Sequence, residues 1–176
     1  MLVAPRVRRA LAAALLSVLP LSLAACGDGR ATTPLVVEVS LTSQYKNLHK
    51  AGAGDSIVYG WNDLEGDTEV NGEKVHVQLL GSVEYTNGGG PFGATTTFSF
   101  ADGSTLAVAS VDGRATAKTD TSDATFSSLL RVIGGSGRYV GASGRGVMTG
   151  RRNDTLGGVV EMTFDLKLRS PTVIMD

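Results

Sequence analysis

A strict two-residue alternation of apolar and polar side chains sets the terms for this chain. In Leu35 to Thr42 (LVVEVSLT), Leu35, Val37, Val39 and Leu41 fall on one side and Val36, Glu38, Ser40 and Thr42 on the other. The run Val159 to Leu168 repeats the pattern, with Val160, Met162, Phe164, Leu166 and Leu168 set against Glu161, Thr163, Asp165 and Lys167. A period of two puts successive side chains on opposite faces of a strand, so each run predicts a strand with one clean apolar face. Six further runs read as strands: Asp55 to Trp61, Lys74 to Tyr85, Ala94 to Phe100, Thr105 to Val111, Phe126 to Ile133 and Gly146 to Arg151. Gly81 interrupts the second of these and predicts a bulge or bend. Asp102-Gly103 is a hairpin signal, Asp112-Gly113 predicts another turn, and Asn153-Asp154 with Gly157-Gly158 marks the turn before the last strand. The 23 glycines and the low aromatic share of 6% fit many tight turns. Strands at regular spacing without crossover helices predict an antiparallel barrel or sandwich.

The chain begins differently. Arg6, Arg8 and Arg9 precede an apolar stretch from Ala10 to Leu23, broken by Pro20 and followed by Ala24-Ala25-Cys26. A basic start, a short apolar run and small residues predict a secretory leader over 1–25, since a membrane span needs ~20 apolar residues. Leu23-Ala24-Ala25-Cys26 resembles the bacterial lipoprotein box, which implies cleavage before Cys26 and acylation of its thiol. The mature protein is then expected to be exported and held at the cell envelope through that lipid, with 26–34 as tether, 35–170 as the domain and 171–176 as a tail. Cys26 is the single cysteine, which removes disulfides, thiolate metal sites and a Cys-His nucleophile from consideration. Without the three leader arginines, 13 basic residues face 17 acidic ones. This balance does not favour a nucleic-acid partner.

Several motifs with chemical meaning fail on spacing. Gly134 to Gly146 (GGSGRYVGASGRG) looks like a phosphate cradle, but Val140 stands where G-x-G-x-x-G needs glycine, and Gly144 and Gly146 would break a helix starting there. No Gly-Lys-Ser/Thr follows for a P-loop. Gly141-Ala142-Ser143-Gly144-Arg145 lacks the last glycine of a nucleophile elbow. His49 and His76 have no partner at ligand spacing, and the acidic Asn62 to Asp67 lacks the order of a calcium loop and reads as a solvated turn, so no metal is expected.

The same glycine stretch resembles the turn of the allene oxide cyclase and dirigent barrel superfamily, G-G-[ST]-G-[KR]-[FY]-x-x-A-x-G. Gly134, Gly135, Ser136, Gly137, Arg138, Tyr139, Ala142 and Gly144 match it. Gly54 to Val58 resembles the opening of the second strand in bacterial members, and Asp102-Gly103 a central hairpin. The resemblance implies an eight-stranded antiparallel closed barrel, calycin-like in outline and often a homo-oligomer. It also implies an apolar cavity that folds a reactive small molecule, without a cofactor, as cyclases and isomerases of this shape do. An oriented, confined reactant can gain up to ~7–11 kcal/mol over free encounter. In plant cyclases a Glu stands two residues before an Asn on the first strand; here Glu38 precedes Ser40, which departs from that pair.

The sequence leaves open which strand faces point inward. Tyr59 and Trp61 share a face and are candidate ligand contacts as amphipathic cavity walls, the alternative being plain barrel core. Met162 and Phe164 are candidates on the same footing, and Phe126 and Met148 read as core or cavity wall. Glu84 and Tyr85 lie on opposite faces, so at most one enters the lumen. Glu38, Tyr59 and Glu84 are the candidate acid–base groups. A carboxylate such as Glu38 in a dry lumen would have a raised pKa and suit that chemistry, whereas outside it would simply be solvated. Arg151-Arg152 reads as a solvated pair at a strand end. Three roles fit: a lipid-anchored barrel that cyclises or isomerises an apolar small molecule, a non-enzymatic lipoprotein that binds or carries a lipid-like ligand, or a filled structural barrel.

Overall fold

A computed structural model describes residues 32–119, 123–154 and 156–169 of the 176; the leader and Cys26 lie outside them. The described chain forms eight strands: β1 (Thr33–Ala51), β2 (Ile57–Val70), β3 (Glu73–Thr86), β4 (Gly90–Phe100), β5 (Thr105–Ala117), β6 (Ala124–Gly135), β7 (Ser143–Arg152) and β8 (Val160–Arg169). Each pairs antiparallel with its neighbours in sequence, and β1 pairs with β8 to close the barrel. Closure gives every strand two partners within Thr33–Arg169, leaving no open edge, so the domain is a self-contained folding unit.

The two alternating runs form the closing seam. Leu35, Val37, Val39 and Leu41 stand opposite Leu166, Phe164, Met162 and Val160. All eight are buried, so the apolar faces point inward. Val75, Val77 and Leu79 of β3, Phe98 and Phe100 of β4, and Leu106 and Val108 of β5 complete a core centred on the half of the barrel where β1 begins. Phe98 and Phe164 meet there edge to face, with ring centroids 5.2 Å apart.

Several local expectations are corrected. The acidic Asn62 to Asp67 is not a turn but the middle of β2, where Asp63, Glu65 and Asp67 project outward and bond Gln78 and His76 of β3. Gly81 makes no bulge; it pairs in register with Asn62 and Ala94. Asp112-Gly113 does not end a strand. It makes a bulge inside β5, Asp112 having φ 56° and the register shifting between Val111 and Arg114. The true turns include Asn71-Gly72 and Asn87-Gly88, where both residues of each pair have positive φ, the backbone that tight two-residue hairpins require.

The glycine stretch joins β6 to β7 and is fastened to the β4–β5 hairpin. The Ser136 N–H donates to the Thr105 carbonyl at 2.9 Å, and the Thr105 N–H donates to Ser136 Oγ at 3.1 Å. Arg138 reaches across the barrel end, donating to both Glu73 carboxylate oxygens at 3.2 and 2.6 Å and to Asp102 at 2.8 Å. Its guanidinium also lies 4.4 Å above the Phe100 ring. The loop thus ties together the β2–β3 and β4–β5 turns at the end where β1 starts.

Candidate functional site

The far end of the barrel, where β7 stops and β8 starts, is packed less fully. Parity along the strands sends Val58, Tyr85 and Ala115 inward there, forming a smaller core with Leu48, Val83, Phe92, Phe126 and Leu156. Between this group and the floor made by Leu41, Leu64, Leu79 and Met162 lies a cavity of about 70 Å³. Phe92 and Phe126 form one wall, edge to face at 6.1 Å. Leu156, Gly157 and Gly158 line the mouth.

Three polar side chains line this largely apolar space: Asn62, whose Oδ1 accepts from Ser43 Oγ at 2.6 Å, Tyr85 and Arg152. Tyr85 is only 3% exposed, and its hydroxyl has no hydrogen-bond partner among the described residues. A buried hydroxyl left unpaired costs about 1–3 kcal/mol, so its presence calls for a reason. Arg152 is 2% exposed, a correction to its reading as a solvated residue. Alternation along β7 sends Arg151 outward to Glu161 and Arg152 inward, where its Nε donates to the Asp154 carbonyl at 2.8 Å and its guanidinium lies 5.9 Å from the Phe126 ring centre. Burial pushes the Tyr85 phenol up to about 12, with the Arg152 charge pulling it partly back. At neutral pH Tyr85 is therefore a neutral phenol in the wall of this cavity.

This shift predicts alkaline behaviour. The folded pKa is above the unfolded value of 10, so Tyr85 lends its stability fully below pH 10 and loses it as pH rises towards 12. The loss amounts to about 2–3 kcal/mol. Urea unfolding between these pH values should lose that much stability in the parent and visibly less in Tyr85→Phe.

The residues expected at the site divide. Met162 is at the cavity floor. Phe164 is fully buried against Phe98 and is not among the residues that line the cavity. Tyr59 and Trp61 are 60% and 44% exposed on the outer surface, where Trp61 meets Tyr45 at 5.0 Å. They share a face with each other but not with Val58 and Leu64, which alternation sends inward. Glu38 on β1 and Glu84 on β3 are likewise outside and exposed. The three candidate acid–base groups, Glu38, Tyr59 and Glu84, therefore do not meet the lumen. Tyr85 and Arg152 are the site residues that the sequence reading misses. The signal for Tyr85 is the opposite-face rule against Glu84, and for Arg152 it is the alternation that puts it on the Met148 face of β7.

No family model matches the chain, and no curated protein matches it. Among solved structures, a pterocarpan synthase dirigent protein is similar at 14% identity and a TM-score of 0.39, covering 83% of this chain and 90% of that one. At that level of likeness the fold rests on the strand order and closure described above.

Proposed function

We propose that this protein binds a small apolar molecule in the far-end cavity, and that the Tyr85 hydroxyl orients it by donating to an acceptor oxygen on the ligand. The observation that carries the reading is a buried hydroxyl, without a partner among the described residues, on a side chain that lines a largely apolar cavity. A ligand oxygen would remove that penalty, and the aromatic and aliphatic wall would take the ligand's hydrocarbon part. The reading places the barrel at the cell envelope, tethered through an acylated Cys26.

Binding or carrying is put ahead of cyclisation for two reasons. A pocket for a drug-sized molecule is roughly 300–1,000 Å³, well above the 70 Å³ found here. The acid–base candidates also lie outside the lumen, so a cyclase or isomerase of this shape would have confinement and the polar groups of Tyr85, Asn62 and Arg152 to work with.

Calorimetric titration with acetophenone, which carries one acceptor oxygen, and with ethylbenzene, which carries none, tests the reading. Either molecule exceeds the cavity of about 70 Å³ and would enter it only in part, the remainder lying at the mouth beside Leu156, Gly157 and Gly158. Both should bind, acetophenone more tightly, and Val83→Trp, which fills the cavity, should abolish both. Absence of binding by either compound, or binding that survives Val83→Trp, would sink the proposal.

A further inference from the structure

The opposite end of the barrel, where β1 begins, carries a second feature. A hollow of about 570 Å³ there is lined by Thr32, Ser143, Arg145, Lys167 and Arg169, with no carboxylate among its lining residues. On the adjoining outer surface Arg131 stands directly across from Arg145, and Arg145 across from Lys167. Like charges directly opposite one another on neighbouring strands destabilise a sheet. None of these four cations has an ion-pair partner among the described residues. Yet the mature chain is acidic overall, with 17 acidic against 13 basic residues. A concave cluster of cations whose lining holds no carboxylate fits an anionic partner outside the chain.

Position says which partner. Thr32, the first described residue, lines the hollow itself, and five residues, a span of six Cα steps, separate it from Cys26. Whatever its path, that segment reaches at most about 20 Å at 3.3–3.6 Å per residue. A lipid on Cys26 would therefore hold this end, and not the cavity end, against the bilayer. Two exposed apolar side chains, Ile133 near the end of β6 and Val140 in the β6–β7 connection, suit the interfacial region.

We propose that this basic hollow seats on an anionic phospholipid surface, with Arg145, Lys167 and Arg169 taking the lipid phosphates. This orientation rests on acylation at Cys26; the affinity for anionic lipid does not. Cations within a Debye length of an anionic surface act together, and salt weakens them. A barrel seated this way opens its far-end cavity away from the membrane, so its ligand exchanges with the aqueous side.

The test uses protein beginning at Gly27, which contains the whole closed barrel and carries no acyl chain, so a failure of acylation does not affect it. It is co-sedimented with vesicles of phosphatidylcholine alone and of equal parts phosphatidylcholine and phosphatidylglycerol. Binding is expected only to the second, and should fall as salt is raised. Arg145→Glu/Lys167→Glu should weaken it roughly 25-fold or more, at about fivefold per basic residue. Arg114→Glu/Lys50→Glu, with the same charge change at the far end, should leave it within about twofold. Arg145→Gln/Lys167→Gln covers the case in which charge reversal disturbs folding, with unfolding temperature checked for every variant. Equal binding to neutral vesicles, no loss in either hollow variant, or tighter binding to soluble dextran sulfate than to the anionic vesicles would each overturn the proposal. Palmitate labelling of the full chain against Cys26→Ser tests the anchor separately.

Discussion

Phe164→Ala should lower the unfolding free energy by about 3–5 kcal/mol, the range for deleting a fully buried aromatic ring. The ring is wholly inaccessible, faces Phe98 edge to face at 5.2 Å, and stands opposite Val37 across the seam that closes the barrel. Collapse around the missing ring is restricted, because β1 and β8 are each held on both sides by hydrogen-bonded neighbours. The penalty should therefore fall in the upper part of that range. For a domain of this size it corresponds to a drop in unfolding temperature of roughly 10 °C or more. Acetophenone affinity, measured below the new transition, should change little, because Phe164 does not border the cavity. Thermal unfolding and titration on the same sample separate a core residue from a ligand contact.

Gly137→Val should be nearly as damaging, for reasons of backbone geometry. Gly137 has φ +55°, a region that a β-branched residue enters only with strain. A Cβ there would also collide with Ser104 Oγ and lie 3.0 Å from Ser104 Cβ. Ser104 cannot yield easily, since its N–H and hydroxyl both donate to Asp102, at 2.8 and 3.0 Å. Those bonds and the Arg138 contact hold the Asp102 carboxyl below the usual carboxylate range, the Ser104 N–H contributing most. The expected loss is about 3 kcal/mol or more. Gly134→Ala is the comparison within the same stretch: nothing lies within 4 Å of its Cβ position. It should shift stability by no more than about 0.5–1 kcal/mol. Equilibrium urea unfolding of the two variants checks both figures.

Much of the barrel is legible in the sequence because its strands have one wet and one dry face. The runs Leu35 to Thr42 and Val159 to Leu168 announce both the strands and their inward sides, and eight strand-like runs correspond to β1–β8. What fails is where side chains on both faces are mixed. In β2, Asp63, Glu65 and Asp67 suggest a turn because only Leu64 and Val70 are apolar on the inner side of that half. Gly60 and Asn62 fill the remaining inner positions nearby, so Tyr59 and Trp61 look like the buried face when they are the outer one. The turn chemistry of Asn71-Gly72 and Asn87-Gly88 was present to be read; the bulge at Asp112-Gly113 has the composition of a turn and differs only through its partners on β4 and β6.

The candidate site was less legible, since a cavity is a property of what is missing between side chains. Tyr85 and Arg152 are more than sixty residues apart and meet only because β3 and β7 run to the same end of the closed barrel. The glycine stretch does not contribute to this cavity. Of its two arginines, Arg138 is engaged with Glu73, Asp102 and Phe100 and Arg145 lines the basic hollow, both at the end remote from the cavity.

The most direct measurement is a paired one on Tyr85→Phe: unfolding free energy at neutral pH and acetophenone affinity by calorimetry. Removing an unpaired buried hydroxyl should leave stability unchanged or raise it by up to about 1 kcal/mol. The same change should weaken acetophenone about five- to tenfold, the worth of roughly 1 kcal/mol of hydrogen bond, and leave ethylbenzene unaffected. A fall in stability together with unchanged acetophenone affinity would mean that the hydroxyl serves the fold and not a ligand, and would contradict the reading of this cavity as the binding site.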